Sequence, residues 1–133
     1  MTRLVLVDDD EDNLNLFTTV LENYQFTVKP YSDPVAALLE FKPNYYDLLI
    51  LDYRMPVLNG VELYKKMKEI DGSIKVMIIT ASHEQLHMDN HEDLQERLEF
   101  KIIRKPVTIT NLIQGINSLL DIKVQSAMVN SSI

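Results

Sequence analysis

The chain has 133 residues, and its 20 acidic against 13 basic side chains give a formal net charge of −7. That length suits one domain with a buried core, and the acidic balance disfavours nucleic-acid binding, which needs a basic surface. The absence of cysteine excludes disulfide scaffolds, cysteine zinc sites and thiol catalysis. The apolar runs are too short for a signal peptide or a membrane span, so we expect a cytoplasmic protein with no membrane partner.

Short aliphatic and β-branched segments alternate along the chain with longer segments of helical periodicity. They predict five strands, at residues 3–7, 26–31, 48–51, 75–80 and 101–104. Helix starts are marked by Asp33 before Pro34 and by Thr108, because such side chains accept the first free amides of a helix. The repeated strand–helix alternation predicts an α/β fold, a parallel sheet with helices on both faces.

The character of each strand predicts the order of the sheet. The first, third and fourth strands are continuously apolar, as expected of strands buried on both faces. The second contains Lys29 and Pro30, and the fifth is short and flanked by charge, so both are expected at edges. These constraints fit the order 2-1-3-4-5, a doubly wound, flavodoxin-like (βα)5 sheet. We assign residues 1–124 to this domain and 125–133 to a frayed C-terminal tail.

Polar residues follow most of the predicted strands, at the edge where ligands bind in open α/β sheets. They are Asp8 and Asp9 after the first strand, Asp52 after the third, Thr80 at the end of the fourth, where Ala81 follows it, and Lys105 after the fifth. Clustered carboxylates repel one another, and Mg²⁺, which prefers oxygen ligands, relieves that repulsion. An ammonium and a hydroxyl beside it suit a phosphoryl group. Alternatively, acids in the run 8–12 begin a helix, a role we expect for Asp10, Glu11 and Asp12.

The segment LDYRMPVLNG at 51–60 resembles the Asp-x-x-Met-Pro-x-x-x-Gly motif of response regulator receiver domains. VDDD at 7–10, TA at 80–81 and KP at 105–106 match the other signatures of that family in order. Each motif is short, but the ordered set is specific, and the resemblance covers about residues 3–122. It implies a receiver of a two-component or phosphorelay system, a signalling domain rather than a dedicated enzyme.

The resemblance also implies how a phosphoryl group would be held. Asp52 would be the phosphoacceptor, attacking the phosphorus of a phosphohistidine to give an acyl phosphate. Lys105 would pair with the phosphoryl group, and Thr80 would donate a hydrogen bond to it. Backbone amides near Arg54 and Ala81 would complete the cradle.

The implied cofactor is Mg²⁺. By the resemblance, Asp9, Asp52 and the backbone carbonyl of Arg54 would bind the ion directly, and Asp8 would act mainly through water. The peptide bond 105–106 would be cis, which is plausible before proline.

The implied phosphoryl donor is a histidine kinase or a histidine phosphotransfer protein. We expect a monomer or a phosphorylation-dependent dimer that signals through protein contacts, since no output domain is evident. The sequence departs from the family at Ile102, the switch position that usually holds an aromatic residue coupled to Thr80. Isoleucine has no hydroxyl, and Phe100, two residues earlier on the same strand face, is expected to substitute only in part.

The segment 82–99 is polar for a helix that should pack on the sheet. We expect a weakly anchored helix and therefore an atypical signalling partner. It contains three histidines at a spacing of four, His83, His87 and His91. A transition-metal site on that face is one hypothesis, but a solvated face with ordinary histidines is favoured because no fourth ligand is evident.

Three other functions fit parts of the sequence. The chain could be a receiver fragment of a larger regulator or of a hybrid kinase. A Mg²⁺-dependent phosphatase would use Asp8 as nucleophile and Asp10 as the second acid, but it leaves the motif at 51–60 unexplained. A binding module that has lost phosphorylation would explain Ile102, but not the complete set of acids, threonine and lysine.

Overall fold

A computed structural model describes residues 1–81 and 100–121 of the chain. The elements in order are β1 (Arg3–Val7), α1 (Glu11–Asn23), β2 (Thr27–Tyr31), α2 (Pro34–Glu40), β3 (Leu48–Asp52), α3 (Gly60–Ile70), β4 (Lys75–Thr80), β5 (Phe100–Arg104) and α4 (Ile109–Leu120). Each strand agrees with its predicted span to within one residue at either end. The predicted helix within 82–99, its three histidines and the tail 125–133 lie outside the described residues. Within the described ranges, no helix has the length and apolar character needed to cross a membrane.

The five strands form one parallel sheet in the order β2-β1-β3-β4-β5, as predicted. The central strand β3 is buried along its whole length, which agrees with its continuous apolar sequence. Pro30 lies on the edge strand β2, in register with Leu6 of β1. Because proline has no amide to donate, it is tolerated at an edge and excluded from a central strand.

Alternate residues of the central strands build two cores, one on each face of the sheet. Val5 and Val7 of β1 belong to the α2–α3 core, together with Leu49 and Leu51 of β3. Leu4 and Leu6 of β1 belong to the opposite α1–α4 core. Successive strand side chains point to opposite faces, so a strand with a core on both sides must be apolar at every position. This arrangement confirms the doubly wound α/β architecture.

Each described helix begins at a capping side chain. Asp10 caps α1, Asp33 with Pro34 begins α2, and Thr108 caps α4, as the sequence predicted. Asn59 caps α3 in a capping box, in which its side chain accepts from the Glu62 amide and the Glu62 carboxylate accepts from the Asn59 amide. In a parallel sheet, these helix starts lie at the same end as the carboxyl ends of the strands, where helix dipoles favour negative charge.

Candidate functional site

Three carboxylates converge where β1 and β3 end. Because these two strands are neighbours, Asp8, Asp9 and Asp52 each contribute an oxygen to a group whose members lie within 4.8 Å of one another. Asp8 is 5% exposed and Asp52 is 7% exposed, whereas Asp9 faces solvent. The Asp8 amide donates to the Tyr31 carbonyl over 3.1 Å, which fixes the end of β1 against β2. We call Asp8, Asp9 and Asp52 the carboxylate site.

The acidic run splits between this site and the helix that follows. The Asp8 carboxylate accepts the Asp10 amide over 2.9 Å. The Asp10 carboxylate turns the other way and accepts the amides of Asp12 and Asn13 at the start of α1. Asp10 therefore stabilises a helix end, as the sequence predicted, and does not belong to the carboxylate site.

Burial and mutual repulsion perturb the carboxylate site. Burial, together with the charge of Asp8, raises the pKa of Asp52 to about 6, although the ammonium of Lys105 opposes the shift. Burial also raises the pKa of Asp8, against the opposing effect of the hydrogen bond from the Asp10 amide. The ionised form of the site is therefore destabilised near neutral pH, and a cation among the oxygens would stabilise it.

Thr80 is the last residue of β4, and Lys105 directly follows β5. The Lys105 Nζ lies 3.3 Å from Oδ1 of Asp52. The Lys105 amide donates to the Thr80 carbonyl over 2.7 Å, and this bond fixes the chain after β5 against the end of β4. Thr80 is 1% exposed, and Ala81, the next residue, is half-buried. The peptide bond 105–106 is cis, as the resemblance implied.

The loop between β3 and α3 begins directly after Asp52 and returns to the Asp52 backbone at Gly60. The Tyr53 amide donates to the Ile79 carbonyl, and the Gly60 amide donates to the Tyr53 carbonyl, each over 2.8 Å. A Cβ atom at Gly60 would lie 2.6 Å from the carbonyl oxygen of Asp52, so this close approach requires glycine. Arg54, whose carbonyl was expected to bind metal, lies in this loop with its side chain in solvent.

The switch position lies on β5, two residues before the end of the strand. Ile102 pairs in register with Ile78 of β4 and packs, half-buried, against the α2–α3 core. Thr80 is in register with Arg104 instead, so Ile102 sits two residues back along the strand from the level of Thr80. The side chain of Phe100, the expected partial substitute, lies outside the part of the chain that the structure describes.

A groove beside Lys105 was not anticipated from the sequence. It has a volume of about 560 Å³ and is lined by Leu16 and Phe17 of α1 and by Lys105, Pro106 and Val107 after β5. Leu16 is 59% exposed and forms an apolar part of the groove wall. An exposed leucine early in α1, outside the apolar face of that helix, was the available sequence signal.

Comparison with known proteins identifies the family. The model of the response regulator receiver domain matches residues 4–117. The chain belongs to this family. This receiver domain is 27% identical over 120 residues to the response regulator receiver protein CpdR of Brucella abortus, which covers 90% of this chain and 98% of that protein. It is 36% identical over 86 residues to the transcriptional regulatory protein CpxR homolog of Haemophilus influenzae, covering 65% of this chain but only 37% of that longer protein.

Solved receiver structures share the fold. A response regulator receiver domain protein from Clostridium thermocellum is 25% identical and superposes with a TM-score of 0.76, covering 91% of this chain and 95% of that one. The response regulator TrrA of Thermotoga maritima, solved in complex with Mg²⁺ and BeF, is 24% identical with a TM-score of 0.73, covering 90% and 100%. Receiver domains are in general signalling domains rather than dedicated enzymes.

Proposed function

We propose that this receiver domain is a phosphorylation-dependent switch that accepts a phosphoryl group on Asp52 from a phosphohistidine. The single observation that carries the proposal is the buried Asp52 carboxylate, paired with Lys105 at 3.3 Å and grouped with Asp8 and Asp9. A carboxylate whose pKa is raised to about 6 is still mostly ionised at neutral pH and is a better nucleophile than an ordinary one. These features support Asp52 as the nucleophile and Lys105 as the cation that phosphoryl transfer needs.

The proposed reaction exchanges one bond to phosphorus for another. A carboxylate oxygen of Asp52 forms the new O–P bond while the N–P bond of the phosphohistidine breaks, and the leaving imidazole keeps the electron pair and takes up a proton. The Lys105 ammonium offsets negative charge on the phosphoryl oxygens. The Thr80 hydroxyl is proposed to donate a hydrogen bond to one of them, and the amides near Arg54 and Ala81 to another.

The carboxylate site fits a hard divalent cation. Asp8, Asp9 and Asp52 supply oxygen ligands only, and Mg²⁺ prefers these and keeps several of its waters. We propose that Asp9, Asp52 and the Arg54 carbonyl hold Mg²⁺ directly, with Asp8 acting through water. The bound ion would supply charge neutralisation for the transferring group. The complex of TrrA with Mg²⁺ and BeF supports this for a protein of the same fold.

The groove next to Lys105 offers a docking position for the donor. Leu16 and Val107 give it apolar walls, and Lys105 connects it to Asp52. An exposed apolar surface adjoining a reactive group is typical of a protein-binding site. We propose a histidine kinase or a histidine phosphotransfer protein as the donor.

We expect the proposed switch to signal without an aromatic side chain at position 102, where this chain has isoleucine. Ile102 is packed against the α2–α3 core and has no hydroxyl to reorganise around Thr80. Phosphorylation would then change a surface that binds another protein, the target. Chemistry at Asp52 does not require the switch residue.

Phosphorylation with a small donor tests the proposal. We expect incubation with Mg²⁺ and acetyl phosphate to label the protein once, in a hydroxylamine-labile linkage that Asp52→Asn abolishes. Glu69→Gln, which removes an exposed carboxylate on α3, is the matched control and should be labelled like the wild type. Absence of both label and Mg²⁺ binding would indicate an inert binding module.

The same experiment separates the proposal from a phosphatase. In that alternative, Asp8 is the nucleophile, so label would persist in Asp52→Asn and vanish in Asp8→Asn. The position of Asp10 argues against it, because the second acid of such a site would have to face Asp8, whereas the Asp10 carboxylate caps α1.

A further inference from the structure

Asn59 and Gly60, at the start of α3, form the single asparagine–glycine pair of the chain. Asparagine is most prone to deamidation before glycine, which has no side chain to shield its amide nitrogen or to restrict the main chain. In this reaction the glycine nitrogen bonds to Cγ of the asparagine, and Nδ2 leaves as ammonia with the proton of the amide. Water then opens the resulting succinimide ring to aspartate or isoaspartate. The sequence therefore places a reactive pair at the N-cap of α3.

The structure withholds the nucleophile of this reaction. The Gly60 amide donates to the Tyr53 carbonyl over 2.8 Å, and Gly60 is buried. The nitrogen can attack only after it loses the proton that this hydrogen bond holds, and a hydrogen bond to the protonated form disfavours its loss. Gly60 also lies so close to the Asp52 carbonyl that a Cβ atom would be 2.6 Å from the oxygen. The main chain there has little room to rotate.

The electrophile is held as well. Oδ1 of Asn59 accepts the Glu62 amide over 2.8 Å, and the Glu62 carboxylate accepts the Asn59 amide over 2.9 Å. This capping box fixes both the side chain and the main chain of Asn59. The ψ of Asn59 is 172°, which staggers its Cβ and the Gly60 nitrogen about the Cα–C bond. A five-membered ring needs them nearly eclipsed, so ring closure requires a rotation that the two sets of hydrogen bonds oppose.

We propose that Asn59 is a deamidation site of this domain, and that the rate of its modification is set by fraying of the first turn of α3. Helix ends open with free energies far below that of global unfolding, and such opening breaks the capping box. The isoaspartate product would carry the main chain through Cβ, one atom longer, directly before Gly60. Because Gly60 lies against the Asp52 carbonyl, modification would disturb the main chain beside the carboxylate site. Deamidation requires no phosphorylation of Asp52.

Ageing of the full chain at mildly alkaline pH, followed by peptide mapping with mass spectrometry, measures deamidation at Asn59. Glu62→Ala removes the carboxylate that closes the capping box, whereas Glu69→Ala removes an exposed carboxylate from the same helix and is the matched control. Ile116→Val removes a buried methylene from the α1–α4 core, so it lowers global stability without touching the cap. Glu62→Gln can still accept the Asn59 amide.

We expect Glu62→Ala to deamidate at Asn59 about fivefold or more faster than the wild type, which is the effect of losing a cap. Glu69→Ala, Ile116→Val and Glu62→Gln should deamidate near the wild-type rate, and the chain unfolded in urea should be fastest. Equal rates for Glu62→Ala and the wild type would overturn the proposal. So would equal rates for the folded wild type and the unfolded chain. Acceleration by Ile116→Val, in proportion to its loss of urea midpoint and as large as that of Glu62→Ala, would show that modification proceeds through global unfolding instead.

Discussion

Replacing Asp52 by asparagine should stabilise the metal-free protein at neutral pH, although it removes the proposed phosphoacceptor. The substitution keeps the shape of the side chain and deletes one of the three charges in the carboxylate site. Burial and the charge of Asp8 raise the pKa of Asp52 from 3.8 to about 6 in the folded state. A difference of that size corresponds to about 3 kcal/mol of destabilisation when the group is ionised. The favourable interaction between ionised Asp52 and Lys105 is already included in this net pKa shift, so its loss in the variant needs no separate correction.

The direction of the pKa shift predicts how the stabilisation by Asp52→Asn changes with pH. Because the folded state binds a proton at Asp52 more tightly than the unfolded state, ionisation lowers the free energy of unfolding as pH rises from about 4 to about 6. Asparagine resembles the protonated acid at every pH. The stability advantage of Asp52→Asn should therefore be up to about 3 kcal/mol at about pH 7.5, and should shrink to a fraction of that near about pH 4.

Urea denaturation followed by circular dichroism, in EDTA and across that pH range, measures the effect. Glu69→Gln is the matched control, because it removes an exposed carboxylate from α3 and should show no such pH dependence. Adding Mg²⁺ should stabilise the wild type more than Asp52→Asn, since binding to the folded state alone adds stability with ion concentration. The reasoning fails if Asp52→Asn is less stable than the wild type without metal, or if its advantage does not change with pH.

Other substitutions test single contacts by urea denaturation. Gly60→Ala should destabilise the fold by about 2 kcal/mol or more, because the new Cβ would meet the Asp52 carbonyl oxygen at 2.6 Å, whereas Gly72→Ala, with open space around it, should change stability little. Asp71→Asn weakens a buried acceptor of the Asn44 and Ser73 amides and should cost about 1 kcal/mol. Because these hydrogen bonds lower the pKa of Asp71 although burial opposes them, that loss should disappear as pH falls below the folded-state pKa. A loss of stability that did not change with pH would contradict the assignment of this loss to the hydrogen bonds that the Asp71 carboxylate accepts.

The order of the sheet could be predicted because its signals are local. Continuous apolar sequence in the first, third and fourth strands reports burial on both faces, and Pro30 reports an edge, whatever lies next to them. Once the strands are parallel, the residues after them must meet at one edge, so the convergence of Asp8, Asp9 and Asp52 followed from the sequence as well. The capping residues Asp33 and Thr108 were found from their immediate neighbours.

Other features of the site depend on segments that are distant in sequence. The pKa of Asp52 is set by the depth of its burial and by the approach of Asp8 and Lys105 from other strands, which periodicity does not report. The need for glycine at position 60 arises from its close approach to the Asp52 carbonyl. The sequence by itself determined the order of the sheet and the convergence of the three carboxylates. Only the tertiary structure decided the charge balance of the carboxylate site and the close contact at Gly60, because electrostatic and steric energies depend on distances that the fold sets.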